Sequence, residues 1–377
     1  MSKNKLLIRK KLLSANRSML HILDRTKPTL AFYEHVILPL EIFITKAGDY
    51  NLCPSLKNDL EKAKEMFFTE EEKNDPQKSK RLIRDAVGAY ISQGFTIQEF
   101  FLYGLRDVGY WEKREFLSDK ERKTMLDKVN NQAAFHELTD KGLLYKVAKK
   151  YFKREACIIS PEEDAGGFMD FITRHPTFII KPIEGSTGID THLLTIKSST
   201  EAEEKYTELC RQGKWIAEEL IQQHPAMAEW NASSVNTLRV PTIDTGNDIK
   251  ILQPFFRTGR KGSFVDNAGQ GGVFAVFDPD TGIIITDGVD EYGGRHEYHP
   301  ESGLKYKGWQ IPRYQEMKDM TAEIIKELPS QPRYVAFDFA LTPEGWVLVE
   351  GNYNGQFVGQ IAEKKGVRKK FIEYYCR

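Results

Sequence analysis

The stretch that most restricts the fold is "YVAFDFALTPEGWVLVEGNYNGQF", residues 334–357, in which two alternating runs flank a Pro-Glu-Gly turn signal. Period-two alternation on both sides of a turn predicts an antiparallel β-hairpin. With Pro343-Glu344-Gly345 as a three-residue loop, Pro supplies the negative φ and Gly the left-handed end. Thr342 then pairs with Trp346, and Asp338 faces Glu350. Val335, Phe337, Phe339, Leu341, Val347 and Val349 fall on one face, while Ala336, Asp338, Ala340, Leu348, Glu350 and Asn352 share the other. Facing carboxylates repel, so a positive group is needed beside them. Mg²⁺ suits this face because it takes oxygen ligands, and Asn352 adds a neutral one. The alternatives are a solvated face, or acids paired with Lys or Arg.

The rest of the chain divides by texture. Residues 1–128 predict a helical N-terminal domain: "TIQE" at 96–99 and "SDKE" at 118–121 fit the capping box. "RLIRDAVGAYI" places Leu82, Ile83, Ala86, Val87, Tyr90 and Ile91 on one stripe, and "FTEEEKNDPQKSKR" at 68–81 reads as a solvated loop. At the start, Leu6, Leu13 and Leu20 lie beside Arg9, Lys10, Lys11 and Arg17. A helix docked on its own domain is expected there, with a membrane-surface helix as the alternative. From residue 129, strands and helices come in blocks, which predicts an α+β fold with antiparallel sheets. "TDKGLLYKVAKKYF" reads as a helix, and "SPEED" as the start of another, with Ser160 as N-cap and Pro161 at its first position. "IKILQPFFR" and "GIIITDG" read as strands, and a helix is expected around 313–328.

A chain of 377 residues is long enough for two or three domains. Lys plus Arg and Asp plus Glu number 54 each, so no net field draws the protein to nucleic acid. No apolar run reaches the ~18 residues of a membrane span. Cys53, Cys157, Cys210 and Cys376 form no CxxC pair, which suits free thiols in a reducing cytoplasm.

Two further stretches carry candidate ligand contacts. "FIIKPIEGSTGIDTHLL" joins two strands through Gly185, Ser186, Thr187 and Gly188, a loop able to bring backbone N–H groups to phosphate or to serve as an ordinary turn. Lys181 precedes it. "SVNTLRV" alternates Asn236, Leu238 and Val240 against Thr237 and Arg239, and Arg257, Arg260 and Lys261 follow in "FFRTGRKGSFVDNAGQGG". Cations near an acidic metal site suit a bound triphosphate, and are otherwise solvated loop residues.

In order, "TDK", "IIKP" with its Gly-Ser loop, "AEELI", "NTLRV", "RTGRKGSFVDNAGQGG", "FDFA" and "VEGNYN" resemble the ATP-grasp superfamily over roughly 130–360. The likeness is greatest to its sugar-transfer-associated branch, and more distant to glutamate-tail-adding and D-alanine ligases. The resemblance implies two α+β lobes, here 129–215 and 216–377, with ATP between them. It implies that Lys141 and Lys181 contact phosphates under the Gly185–Gly188 loop. Glu218 with the backbone of Glu219, Leu220 and Ile221 would read adenine, Glu219 or a neighbour the ribose, and Asn236 and Arg239 complete the nucleotide set. The usual ribose acid falls on "QQHP", and the family's metal ligands fall on Asp338, Glu350 and Asn352.

The chemistry so implied is ATP- and Mg²⁺-dependent amide formation through an acyl phosphate. Lys181, Arg239 and Arg257 offset charge, and Asn267 assists at the oxyanion. "EGSTG" and the 258–272 loop are expected to close as lids. The better-known ligases carry a Rossmann-like pre-domain where this chain reads helical, so the substrate does not transfer. The branch name suggests a sugar acid, amino acid or peptide carboxylate in polysaccharide or peptide assembly. A small-molecule kinase and a nucleotide-binding scaffold without turnover are the alternatives.

Overall fold

The protein is described by a computed structural model covering residues 54–185, 191–260, 262 and 271–375. The expected helix around Leu6, Leu13 and Leu20 lies outside the described residues. The chain divides into two compact units, one of residues 1–123 with 364–368, the other of 124–363 with 369–377.

In the described part of the first unit the secondary structure is helical. The Thr96 hydroxyl accepts from Glu99 N (3.1 Å) and the Glu99 carboxylate accepts from Thr96 N (2.8 Å), so the "TIQE" box forms as expected. At "SDKE" only half of the box forms. Ser118 Oγ accepts from Glu121 N (3.2 Å), but the Glu121 carboxylate turns to Arg368 Nε (2.9 Å). Residues 68–81 are not a loop. Thr69 and Glu72 make a second capping box that starts helix Glu70–Asn74, and Asp75 then caps helix Pro76–Gln93, with Pro at its first turn. The charges of this run are those of exposed helix surface, while its Thr-x-x-Glu spacing is a start signal. On Pro76–Gln93, Ala86, Val87 and Ala89 are buried and Tyr90 is exposed. The buried stripe therefore runs through Ala89, one place short of the expected Tyr90.

The second unit holds two antiparallel sheets among its described residues. In the first, β1 (Ala156–Ile159), β2 (Thr177–Pro182), β3 (His192–Thr195) and β4 (Trp215–Glu219) lie in the order β1-β4-β2-β3. It therefore takes in chain beyond the lobe boundary expected at residue 215. Phe168, Phe171 and Ile172 from helix Ala165–Arg174, with Ala202 and Leu209 from Ser199–Gln212, cover Ile159, Phe178, Ile180 and Ala217 on one face. Period two turns Lys181 and Glu218 to the other face. Ser160 does not start the first of these helices, which begins at Ala165 after Asp164. The carbonyls of Ser160 and Glu163 instead accept from Tyr206 Oη (3.0 and 2.7 Å), which holds "SPEED" as a turn.

The second sheet contains β5 (Thr237–Asp244), β6 (Ile249–Ile251), β7 (Phe255–Thr258), β8 (Val273–Val276), β9 (Gly288–Val289), β10 (Arg295–His296), β11 (Tyr334–Thr342) and β12 (Gly345–Asn352). Its order is β10-β9-β8-β7-β5-β11-β12, with β6 on β5. "IKILQPFFR" is split into β6 and β7 because Gln253 takes φ 48° ahead of Pro254. In "GIIITDG" only Gly288 joins a strand, while Ile283 and Ile284 make isolated bridges. Helix Tyr314–Glu327 packs Met317, Ile324 and Ile325 against Val335, Phe337, Phe339, Leu341, Trp346 and Leu348. Helix Lys141–Phe152, capped by Asp140, packs against β12 and brings Lys141 to the site. No described helix is long and apolar enough to cross a membrane.

Candidate functional site

The closing hairpin brings Asp338 opposite Glu350, as the sequence predicts, by a different route. The turn has two residues, with Thr342 paired to Gly345 and Leu341 to Trp346. A bulge then makes up the offset: Phe339 pairs with Leu348 and Asp338 with Glu350, so Val349 is the extra residue. Between turn and bulge the β12 faces are exchanged relative to expectation. Trp346 and Leu348 join the core, and Val347 lies on the acidic face opposite Ala340. Beyond the bulge Glu350 and Asn352 share the face of Asp338 and Ala336, as expected.

Across this face Arg239 on β5, Asp338 on β11 and Glu350 on β12 form one row. Arg239 grips Asp338 through Nε to Oδ1 and through Nη2 to Oδ2 (2.8 Å), and Arg257 Nη2 reaches Oδ2 at 2.9 Å. Arg257 also donates through Nε and Nη2 to Thr237 Oγ1 (2.9 and 2.7 Å). Burial raises the pKa of Asp338, but the two guanidinium groups outweigh it and hold the carboxyl below its usual range. The positive charge beside Asp338 in the structure is thus arginine, one of the alternatives the pattern left open. Glu350 is half-buried, and Asn352 Nδ2 donates to Ala336 O (3.3 Å), so the amide turns its oxygen away from that bond. Among the described residues no three His, Cys, Asp or Glu side chains gather as a metal cluster. The donor set nonetheless fits magnesium: two carboxylates and an amide, oxygen only, too few to enclose the ion, with positions left for phosphate oxygens and water.

The first sheet contributes the cations. Lys181 Nζ donates to Glu218 Oε2 at 3.2 Å, and Arg154 Nη2 donates to the same oxygen at 2.7 Å. Burial works against the Glu218 charge, yet Lys181 and Arg154 pull its pKa down from 4.5 to about 2. Lys141 Nζ donates to Gly185 O (2.7 Å) and Ile183 O (3.4 Å), so it already grips the start of the glycine loop. Burial lowers the pKa of Lys141, Glu350 counters that, and Lys181 adds to it. Lys141, Lys181, Glu218 and Glu350 therefore share one electrostatic neighbourhood, in which groups far apart in sequence meet.

A depressed carboxyl pKa stabilises the fold above its unfolded value and loses that contribution as pH falls through the folded one. For Glu218 the loss runs from about 4.5 down to about 2. Denaturant titrations over this range are expected to show a steeper fall for the wild type than for Glu218→Gln, which starts less stable at pH 7. Equal slopes would contradict the buried pairing.

Several expected contacts are placed otherwise. The Glu218 carboxylate is engaged by two cations rather than open to an adenine edge. Glu219 accepts from Glu155 N (3.0 Å), Leu220 is exposed and Ile221 half-buried where the chain leaves β4. Asn236 is bonded to backbone groups of neighbouring loops. It is fully buried, with Nδ2 donating to Met227 O and Asn231 O (2.8 Å each) and Oδ1 accepting from Gly259 N (3.2 Å). It thus holds loop backbone just before β5, whereas Arg239 bonds Asp338. Ser186, Thr187, Gly188, Lys261 and Asn267 lie outside the described residues, as do most of the two stretches expected to act as lids. Arg154 was missed, because in "YFKREACII" it reads as one more charge between a helix and a strand.

Residues 120–374 match the family described as sugar-transfer associated ATP-grasp. A search of curated proteins finds no match. Similar solved structures include the ATP-grasp ligase PsnB complexed with minimal precursor, at 14% identity and TM-score 0.41, covering 66% of this chain and 62% of that one. The D-alanine-D-alanine ligase from Coxiella burnetii gives 12%, 0.34, 57% and 48%. N5-carboxyaminoimidazole synthetase from Staphylococcus aureus complexed with ADP gives 14%, 0.38, 65% and 53%. The chain spans less than two thirds of each of these structures.

Proposed function

The chain belongs to the sugar-transfer-associated ATP-grasp family, and on that premise we propose that it is an ATP- and magnesium-dependent ligase joining a carboxylate to an amine through an acyl phosphate. The observation that carries this reading is the pair Asp338 and Glu350, opposed on the last hairpin in one neighbourhood with Lys141 and Lys181. Lys141 and Lys181 bind phosphate oxygens as point charges, and Lys141 also draws the glycine loop toward them through Gly185 O. Asp338, Glu350 and Asn352 hold magnesium, which when bound neutralises charge on the phosphates. Arg239 and Arg257, anchored through Asp338 and Thr237, direct guanidinium charge onto the face where the carbonyl oxygen of the acyl phosphate becomes an oxyanion as the amine attacks, before phosphate leaves. Arg257 and Arg239 are thus the catalytic candidates, with Lys181. Gly185, Ser186, Thr187, Gly188 and Asn267 are the loop residues proposed to cover the site.

The acceptor in this proposal is a sugar acid, amino acid or peptide carboxylate used in polysaccharide or peptide assembly. We place the enzyme in the cytoplasm, in keeping with free Cys157 and Cys210. The test is an ADP-release screen over paired acids and amines, with mass detection of product. Release that needs both partners is the expected outcome. A stable phosphorylated product formed from an alcohol alone would make the protein a kinase.

A further inference from the structure

Arg154 sits between helix Lys141–Phe152 and β1, and its side chain is almost fully buried. One guanidinium touches both sheets of the second unit. Nη2 donates to Glu218 Oε2 on β4 (2.7 Å), while Nη1 donates to Leu348 O (2.6 Å) and Nη2 also to Val349 O (3.3 Å) on β12. Glu218 is the carboxylate that holds Lys181. Val349 is the bulge residue, and the bulge is what turns Glu350 toward Asp338. A bulge leaves one residue's backbone outside the regular ladder, and the carbonyls of buried Leu348 and half-buried Val349 beside it take a donor from elsewhere. Arg154 supplies it.

We infer that Arg154 is a positioning residue that sets the phosphate lysine, through Glu218, and the metal carboxylate Glu350, through the Leu348–Val349 carbonyls, at a fixed separation. This rests on the reading of the site as one for magnesium and nucleotide. The two arms predict different losses. A planar fork can bond a carboxylate and two carbonyls at once, whereas a lysine ammonium is a single point of charge. Arg154→Lys therefore keeps the Glu218 arm and loses hold of the bulge. Arg154→Met loses both.

The experiment is equilibrium binding of a non-hydrolysable ATP analogue to the full chain at graded Mg²⁺, for wild type, Arg154→Met and Arg154→Lys. Arg154→Met is expected to weaken nucleotide binding, and to raise the Mg²⁺ needed for half-saturation, by about tenfold each, the scale seen when partners behind a metal ligand are removed. Arg154→Lys is expected to recover affinity for the analogue without metal while keeping the raised Mg²⁺ requirement. Wild type that binds, with both variants unchanged in their Mg²⁺ dependence, overturns the positioning role and leaves the ligase reading intact. Wild type that binds no analogue at any Mg²⁺ concentration overturns the ligase reading and this inference with it. Should Arg154→Met fail to fold, the Arg154→Lys titration alone decides, since an unchanged metal requirement there overturns the bulge arm.

Discussion

Replacing Glu350 by Gln is expected to leave the protein folded and to cut ADP release by about 10²–10³-fold, because charge stabilisation worth several kcal/mol at the phosphates is lost. The substitution keeps the shape of the side chain and removes its charge. Glu350 is half-buried at the end of β12, so folding does not depend on an ion pair of the kind that Asp338 makes. Thermal melting should therefore change little while the Mg²⁺ concentration needed for activity rises sharply. A variant that melts with the wild type and releases ADP at the same rate would remove Glu350 from the metal site.

The second large effect is on stability. Asp338→Ala is expected to cost about 3–5 kcal/mol, since it leaves a buried ion pair with one partner missing. Arg239 and Arg257 keep only 15% and 14% of their side-chain surface exposed, and both aim at Asp338. Without it, Arg239 loses the carboxylate that its Nε and Nη2 both meet, and Arg257 loses one of its partners. For a unit of this size the melting temperature should fall on the order of 10 °C. Arg239→Met combined with Asp338→Ala should recover part of that loss without restoring activity, because an apolar contact does not carry the desolvation cost of a stranded charge. A melting temperature unmoved by Asp338→Ala would mean the arginines are solvated and the row across β5, β11 and β12 is not a packed network.

How much of this was legible beforehand depended on what kind of signal each residue gave. The Asp338–Glu350 pairing follows from alternation, and it survives although the turn is shorter than read, because the bulge at Val349 restores the offset. A bulge has no fixed residue signature, so the exchange of Val347 with Leu348 between faces was not readable. Lys181 was marked by its place before the glycine loop and Lys141 by the family likeness of "TDK"; in the structure Lys141 bonds the first loop residue, Gly185, while Lys181 pairs with Glu218. Alternation set Asn236 on the face of Leu238 and Val240, where it is buried, and it was the family likeness that added it to the nucleotide set. Arg154 gave no signal at all: its partners lie 64 and about 194 positions away in sequence, and only the packing of two sheets brings them together. The capping box at Thr69 was readable by its spacing, and the density of charge around it hid the signal.

The proposed function requires a dication between Asp338 and Glu350 that holds the phosphates of a nucleotide. Crystals soaked with Mn²⁺ and a non-hydrolysable ATP analogue test it most directly, because manganese is located by its anomalous scattering. An anomalous peak coordinated by Asp338, Glu350 and Asn352 is expected, with the phosphates of the analogue near Lys141 and Lys181. Analogue density elsewhere, or a fully occupied nucleotide with no metal touching either carboxylate, would contradict it.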